Sequence, residues 1–409
     1  MIFTLCLDSC CLRGQRSHVS RVSCFVVLLG LLVPRLSFAS LSVPDIPHIA
    51  GYFGTKTRYE EVKPHLLRDP LSADPSVLRP PPAEHCSPVH LTAVIRHGSR
   101  YPTLKNIRRI RKLSELVRTE ASRASGGSES WLQEIRNRWE AWYTEDMDGQ
   151  LVMKGRDDLR QLASRLASVF PSLLSEENVR KRRVRFLTSS KHRCVSSVEA
   201  FQEGLQRESL GLTSDLCVWA DAEPEYSHEV DDELMRFFDR CRGYVDGVEN
   251  NRTALLEVEK FKHGEEMEGV RRRMADRLGL PHHRLTPAFP NSVPKQRSQT
   301  AFPNSVPKQR SQTAFPNEVS LWRLAGRRFR TSLIVPYAAN LLFVLYDCQR
   351  GPRLQLLVNE SPVRFPGLEA EDAPLYRDVR ATYRHLLDGC DFHRECEGRA
   401  VGRAPNTEL

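Results

Sequence analysis

Eleven consecutive residues, Ala93-Val94-Ile95-Arg96-His97-Gly98-Ser99-Arg100-Tyr101-Pro102-Thr103, bring two guanidinium groups and an imidazole into one short stretch. Guanidinium forks bind the oxygens of a tetrahedral oxyanion such as phosphate in pairs, and an imidazole between them can attack its centre. Gly98 lets the backbone come close to whatever sits there. A histidine that merely caps a strand would leave the two clustered arginines unexplained. A second basic stretch, Thr188-Ser189-Ser190-Lys191-His192-Arg193-Cys194, offers Arg193 as a third clamp, with a solvated basic turn as the alternative. Lys191 and Thr103 are further candidate substrate contacts.

These side chains need elements to hold them. Leu91 to Ile95 is an apolar run that reads as a buried strand, broken at once by the Arg-His-Gly loop. Open α/β sheets bind ligands at the carboxyl ends of their strands. Val184 to Leu187 reads as a second strand, followed by a helix from Val195 to Leu205 that the intervening hydroxyls can cap. Between the two lies a helix with apolar positions Leu159, Leu162, Leu166, Val169 and Leu173, ending just before Pro171. Residues 104–123 are basic and helical in pattern. A second helical stretch carries Trp131, Trp139 and Trp142. Residues 206–280 read as a polar, mostly helical lobe with Leu234, Phe237, Phe238 and Cys241 on one face. Leu333–Val335, Leu341–Tyr346 and Leu354–Val358 read as strands, two of them a hairpin, and Tyr376–Leu387 as a final helix.

The chain has 409 residues, enough for one large two-lobed domain, and a formal net charge of +9 that favours anionic partners. The basic runs Arg108-Arg109, Arg180 to Arg183, Arg271 to Arg273 and Arg327-Arg328 read as solvated faces. They lack the aromatic interleaving of a nucleic-acid surface, so no nucleic-acid partner is expected. Arg13, Arg16 and Arg21 precede an apolar run from Cys24 to Val33, and Ser37-Phe38-Ala39 follows. Residues 1–39 therefore read as a secretory signal peptide, with a membrane anchor as the alternative, and residues 40–409 as the domain. The run is too short to span a bilayer, so no stable membrane insertion is expected after its removal.

Of eleven cysteines, seven lie beyond Ala39. Most should pair in an oxidising compartment, with one left free or intermolecular, and Cys390 and Cys396 are close enough for a local bridge. Metal ligation lacks the spacing it needs. Sequons at Asn251 and Asn359 could carry glycans, Asn251 being the better placed. Residues 41–88 are proline-rich and read as an extended arm over the domain. Residues 288–300 recur letter for letter at 301–313 and again in part from Ala314, a polar tract (288–317) expected to be disordered.

Arg-His-Gly-x-Arg-x-Pro is similar to the signature of the histidine acid phosphatases. AVIRHGSRYPT, DGQLVMKGRDDLRQLASRLASVFPSL, RFLTSSKHRC, ELMRFFDRC and FRTSLIVPYAANLLFVLY together resemble their multiple inositol polyphosphate phosphatase branch. The resemblance implies a phosphoglycerate-mutase-like α/β sheet flanked by helices, the core at about 86–195 and 318–400 and a helical cap lobe at about 196–285. It implies inositol hexakisphosphate and 2,3-bisphosphoglycerate as small-molecule substrates, with no cofactor or metal. It also implies that His97 is the nucleophile and passes through a phosphohistidine, while Arg96, Arg100 and Arg193 hold the phosphoryl oxygens. Disulfides Cys86–Cys348 and Cys194–Cys241 are compatible with it.

The chain departs from the family at the general acid. The family supplies it from a His-Ala-Glu motif at the end of a later strand, expected here between Leu280 and Trp322, where the repeat tract stands instead. No histidine occurs between Arg284 and Arg384, and Glu318 is the sole carboxylate between Thr286 and Thr331. His263-Gly264-Glu265 and Glu318 are the two stand-ins to weigh, and neither matches in position. Three readings follow: a phosphatase with a shortened sequence, a phosphate-binding relative impaired in turnover, and a basic polyanion- or membrane-surface-binding protein. The terminal Asn406-Thr407-Glu408-Leu409 shares two letters with lumenal retrieval signals, so endoplasmic-reticulum lumen or secretion is the expected address.

Overall fold

The computed structural model describes residues 2–6, 54–73, 85–120, 137–138, 140–209, 226–285, 335–388, 393 and 396. Its strands are β1 Ile2–Cys6, β2 Cys86–Ile95, β3 Val184–Thr188, β4 Glu229–Val230, β5 Asn340–Cys348, β6 Arg353–Val358 and β7 Ser361–Val363. They form a single mixed sheet in the order β4-β3-β1-β2-β5-β6-β7. β1 is antiparallel to both β2 and β3, so those two run the same way and end on one edge of the sheet. That shared edge is where the two basic loops meet.

Alternation along the strands sorts side chains to two faces. On one face Leu91, Ala93, Ile95, Phe186, Leu342 and Val344 pack against helices α2 (Met153–Val169) and α3 (His192–Ser209). The first helix, α1, is Leu104–Glu120. The leucines at 159, 162 and 166 are fully buried in that layer, as their spacing predicts, and α2 stops at Val169, two residues before Pro171. On the other face Leu341, Phe343 and Leu356 meet Phe365 and Val379, the latter from the helix Tyr376–Thr382.

α5 (Glu265–Leu278), which follows α4 (Arg252–His263), packs against α1 through Ala275 and Val117, so the cap region sits over α1. The segment from 54 to 73 lies across the domain as short 3-10 turns. Tyr59 anchors it: the phenol donates to Glu360 at 2.7 Å and accepts from Asn340 at 2.9 Å. Glu360 in turn takes a forked pair from the buried Arg165 at 2.7 and 2.8 Å. Burial pushes the Glu360 carboxyl up, but Arg165 and the Tyr59 hydroxyl outweigh it and hold the group below the usual range.

β1 lies inside residues 1–39, the stretch read as a leader, and pairs with β2 and β3. Several other expectations are revised. α3 begins at His192 rather than Val195, because Cys194 and Val195 N–H already bond the Lys191 carbonyl; Lys191, not a hydroxyl, precedes the helix. The lobe boundary expected at 196 falls inside this helix, which belongs to the sheet layer. Leu234, Phe237, Phe238 and Cys241 are split over short turns, and Leu234 is half exposed. Trp142 lies in a non-helical segment, stacked on Tyr143. The final helix breaks at Tyr383 into Tyr376–Thr382 and Arg384–Leu387.

Cys86–Cys348 forms, tying paired residues of β2 and β5. Cys241 pairs with Cys396 instead of Cys194, and Cys396 is thereby withdrawn from Cys390; Cys194 is free. Asn359 is only 2% exposed, and its side-chain oxygen accepts from the Asn340 N–H, so folding withdraws this sequon from glycosylation. Asn251 stays partly exposed at the start of α4. Trp131, Trp139, Leu333, Cys217, Cys390, Glu318, the repeat tract and the C-terminal tetrapeptide lie outside the described residues.

Candidate active site

His97 leaves the carboxyl end of β2 and turns into a loop that is pinned from three sides. Arg96 N–H bonds the Ala339 carbonyl at 2.8 Å, and Ala338 N–H bonds the His97 carbonyl at 3.1 Å, which ties the loop to the chain entering β5. Gly98 N–H bonds the Ser197 hydroxyl at 3.2 Å, and that hydroxyl donates to the Arg193 carbonyl at 2.7 Å within α3. The third contact is backbone on backbone. A Cβ on Gly98 would fall 2.2 Å from the Gly155 carbonyl oxygen, and one on Gly155 would fall 2.1 Å from the Ser99 carbonyl oxygen. Gly98 is thus required by α2, not by a ligand. Asp158 lies deeper under the loop, facing Ser99 and paired with Lys154, which also holds Glu60 at 3.0 Å. Burial pushes the Asp158 carboxyl up to about 6.

The imidazole tautomer follows from its neighbour. Nδ1 lies 2.9 Å from the Gly98 carbonyl oxygen, which can only accept, so Nδ1 carries the proton and Nε2 presents its lone pair. Burial is the largest influence on the ring, followed by the Arg96 charge, with Arg193 and Arg100 adding to it. Together they lower its pKa to about 2, against an opposing pull from the Gly98 carbonyl that exceeds the effect of either Arg193 or Arg100. His97 is therefore neutral, as a nucleophile must be.

The three arginines differ in what they have left to offer. Arg96 is anchored through one nitrogen: its Nη1 donates to the carbonyls of Thr55, Val335 and Pro336 at 2.6 to 3.1 Å, and its guanidinium lies 4.8 Å over the Tyr337 ring. Arg100 gives one Nη1 bond to the Tyr101 carbonyl, but its buried Nε has no partner. The Nε of Arg193 is likewise buried without a partner. Buried donors are almost always satisfied, so two orphaned ones beside a neutral imidazole mark a place for an anion. Thr103 precedes α1 and offers its carbonyl to Asn106 and Ile107 N–H, while Lys191 is not among the charges that act on His97. Neither is shown to reach the pocket.

Two participants carry no signal in the sequence. Lys56, on the 3-10 turn Gly54–Lys56, lies close enough to Arg100, Arg96 and Arg193 to respond to them. Burial first and those charges second lower its pKa to about 8. Tyr337, 7% exposed, packs 5.9 Å from the His97 ring. Neither belongs to a periodic stretch, and both arrive from segments remote in sequence. No carboxylate figures among the influences on His97. His263, one proposed stand-in, sits at the exposed end of α4 beside Glu259. Among the described residues no cluster of His, Cys, Asp or Glu could hold a metal ion.

A neutral histidine set among arginines at the carboxyl edge of a mixed α/β sheet is an arrangement suited to binding an oxyanion. The pattern of the histidine phosphatase superfamily (branch 2) matches residues 89–294. The chain is 34% identical to human multiple inositol polyphosphate phosphatase 1 over 93% of its own length and 96% of that protein's. It is 33% identical to the Gallus gallus protein of the same name, over 88% and 96% respectively. It belongs, then, to the histidine phosphatase superfamily, in the group of the multiple inositol polyphosphate phosphatases. The alignment to the human protein runs over 478 positions, more than the 409 residues of this chain, so that protein has residues this chain lacks. The phytase from D. castellii shares the fold, with a TM-score of 0.56 at 11% identity, over 90% of this chain and 93% of that one.

Proposed function

We propose that the chain is a phosphomonoester hydrolase acting on inositol polyphosphates through a phosphohistidine at His97. The observation that carries this reading is the neutral His97, with Nε2 free, next to the orphaned Nε donors of Arg100 and Arg193. His97 Nε2 attacks phosphorus, the bond to the inositol oxygen breaks, and the departing alkoxide takes a proton from solvent. Water then attacks the phosphorus and gives up a proton to solvent, the P–N bond breaks with its electron pair returning to Nε2, and phosphate leaves. The arginines stabilise charge on the phosphoryl oxygens in both transition states. 2,3-Bisphosphoglycerate, the smaller polyanion suggested by the resemblance, belongs to the same proposal. So does a lumenal or secreted location, which the Cys86–Cys348 and Cys241–Cys396 bridges support.

The all-arginine surroundings of His97 favour a second reading, in which the nucleophile works without a general acid. Loss of that assistance costs about 10²–10⁴ in rate. The two readings separate in one experiment on the purified chain with radiolabelled inositol hexakisphosphate. Sustained phosphate release, abolished in His97→Ala, supports the first. Labelled His97 with turnover slowed by that factor supports the second. Absence of both label and release overturns the proposal.

A further inference from the structure

The loop that carries His97 is laid along the start of α2. Val152 N–H bonds the Ser99 carbonyl at 3.0 Å, Tyr101 N–H bonds the Gln150 carbonyl at 2.8 Å, and Gly155 passes directly against the Ser99 backbone. One turn beyond Lys154, the Asp158 carboxylate is 4% exposed and accepts from the Ser99 hydroxyl at 3.5 Å. Its other oxygen pairs with Lys154, whose ammonium also holds Glu60 at 3.0 Å on the 3-10 turn Tyr59–Glu61. The same arm supplies the Thr55 carbonyl to Arg96 and the Thr57 carbonyl to Tyr337 N–H. Asp158 thus stands where loop, helix and arm meet, and the proposed reaction gives it no part.

The charges around Asp158 do not balance. Lys154 is shared between two nearly buried carboxylates. Arg58 reaches Glu60 at 3.6 Å from a half-exposed position, Asp157 adds a like charge beside Asp158, and Arg165, which responds to Asp158, is taken by Glu360. Burial is the largest influence on Asp158, Lys154 opposes it, and Glu60 and Asp157 add repulsion; the carboxyl comes to rest at about 6. We infer that Asp158 is a positioning residue for the His97 loop, holding Ser99 while ionised and loosening that hold when it takes up a proton. The inference rests on the proposed function for the reaction it serves and deepens it. Protonation turns a charge-assisted contact into a neutral one of about half the strength. Small displacements of a nucleophile are costly, about 10²-fold in rate for 1 Å.

Asp158→Asn keeps the shape of the side chain and mimics its protonated form. The test compares the full-length variant with the parent at pH 7.5 and pH 5. Amide hydrogen exchange over residues 96–101 reads the loop, and single-turnover labelling of His97 from radiolabelled inositol hexakisphosphate reads the chemistry. Variant-to-parent ratios cancel the pH dependence of exchange itself and of the substrate's phosphates. At pH 7.5 the variant should exchange about tenfold faster in the loop and label His97 about tenfold more slowly. At pH 5 both ratios should return to about one, with the crossover near the carboxyl's value of about 6. Ratios of one at pH 7.5, or ratios that stay the same at both pH values as a merely structural role requires, overturn the inference. Should Asp158→Asn fail to fold, Ser99→Ala removes the same contact from the loop side and leaves the charges in place. It must show the same crossover, and its absence overturns the inference as well. Loop exchange that behaves as expected without any label on His97 upholds the positioning and refutes the proposed reaction.

Discussion

The neutral His97 makes stability depend on pH in a way that can be isolated. An ordinary imidazole protonates near pH 6.5, whereas the folded chain holds His97 neutral down to about pH 2. Between those values the unfolded chain binds a proton that the folded chain refuses, so stability falls as the solution is acidified below 6.5. At pH 4.5, two units below the unfolded value, the term is about 2.7 kcal/mol, and at pH 7.5 it vanishes. Replacing His97 with Asn removes the titrating group. Urea unfolding of both proteins at pH 7.5 and 4.5, in phosphate-free buffer, should show the parent losing about 2–3 kcal/mol more than His97→Asn on acidification. Equal losses would mean that His97 protonates freely in the folded state, and the account of burial and arginine charge would be wrong. The measurement needs no turnover, so it is independent of the general acid.

Gly155→Ala drives a methyl group into the Ser99 carbonyl at 2.1 Å, and since backbone faces backbone, the loop must shift. Phosphorylation of His97 is expected to slow about 10²-fold, with about 1–3 kcal/mol of stability lost, and a rate within twofold of the parent in rapid-quench labelling would refute it. Glu360→Gln leaves Arg165 buried without its charge partner and loosens the Tyr59 anchor of the arm that carries Lys56. A loss of about 3–5 kcal/mol in urea titrations is expected, and less than 1 kcal/mol would show that the pair does not hold the arm.

The candidate His97 loop was legible because strand, loop and residue types are contiguous: an apolar run ends in Arg-His-Gly within a few positions. Leu159, Leu162 and Leu166 were legible as a buried stripe for the same reason, since periodicity is a local property. The disulfides show where locality fails. Cys86 and Cys348 are found as a pair through their register on β2 and β5, whereas Cys390 lies near Cys396 in sequence but Cys396 bonds Cys241, 155 residues away. Asn359 carries a sequon like Asn251, and only burial against Asn340 distinguishes them.

By itself the sequence determined the family to which the chain belongs and brought His97 and three arginines forward as one candidate cluster. How each of those arginines is held was decided by the tertiary structure, because carbonyls of Thr55, Val335 and Pro336 from two remote segments fix Nη1 of Arg96 while Arg100 and Arg193 keep buried Nε donors without a partner. The tautomer of His97, the reason for Gly98 and the arrival of Lys56 beside the arginines were decided there too. Each depends on distances between groups far apart along the chain, and composition and spacing carry no record of those.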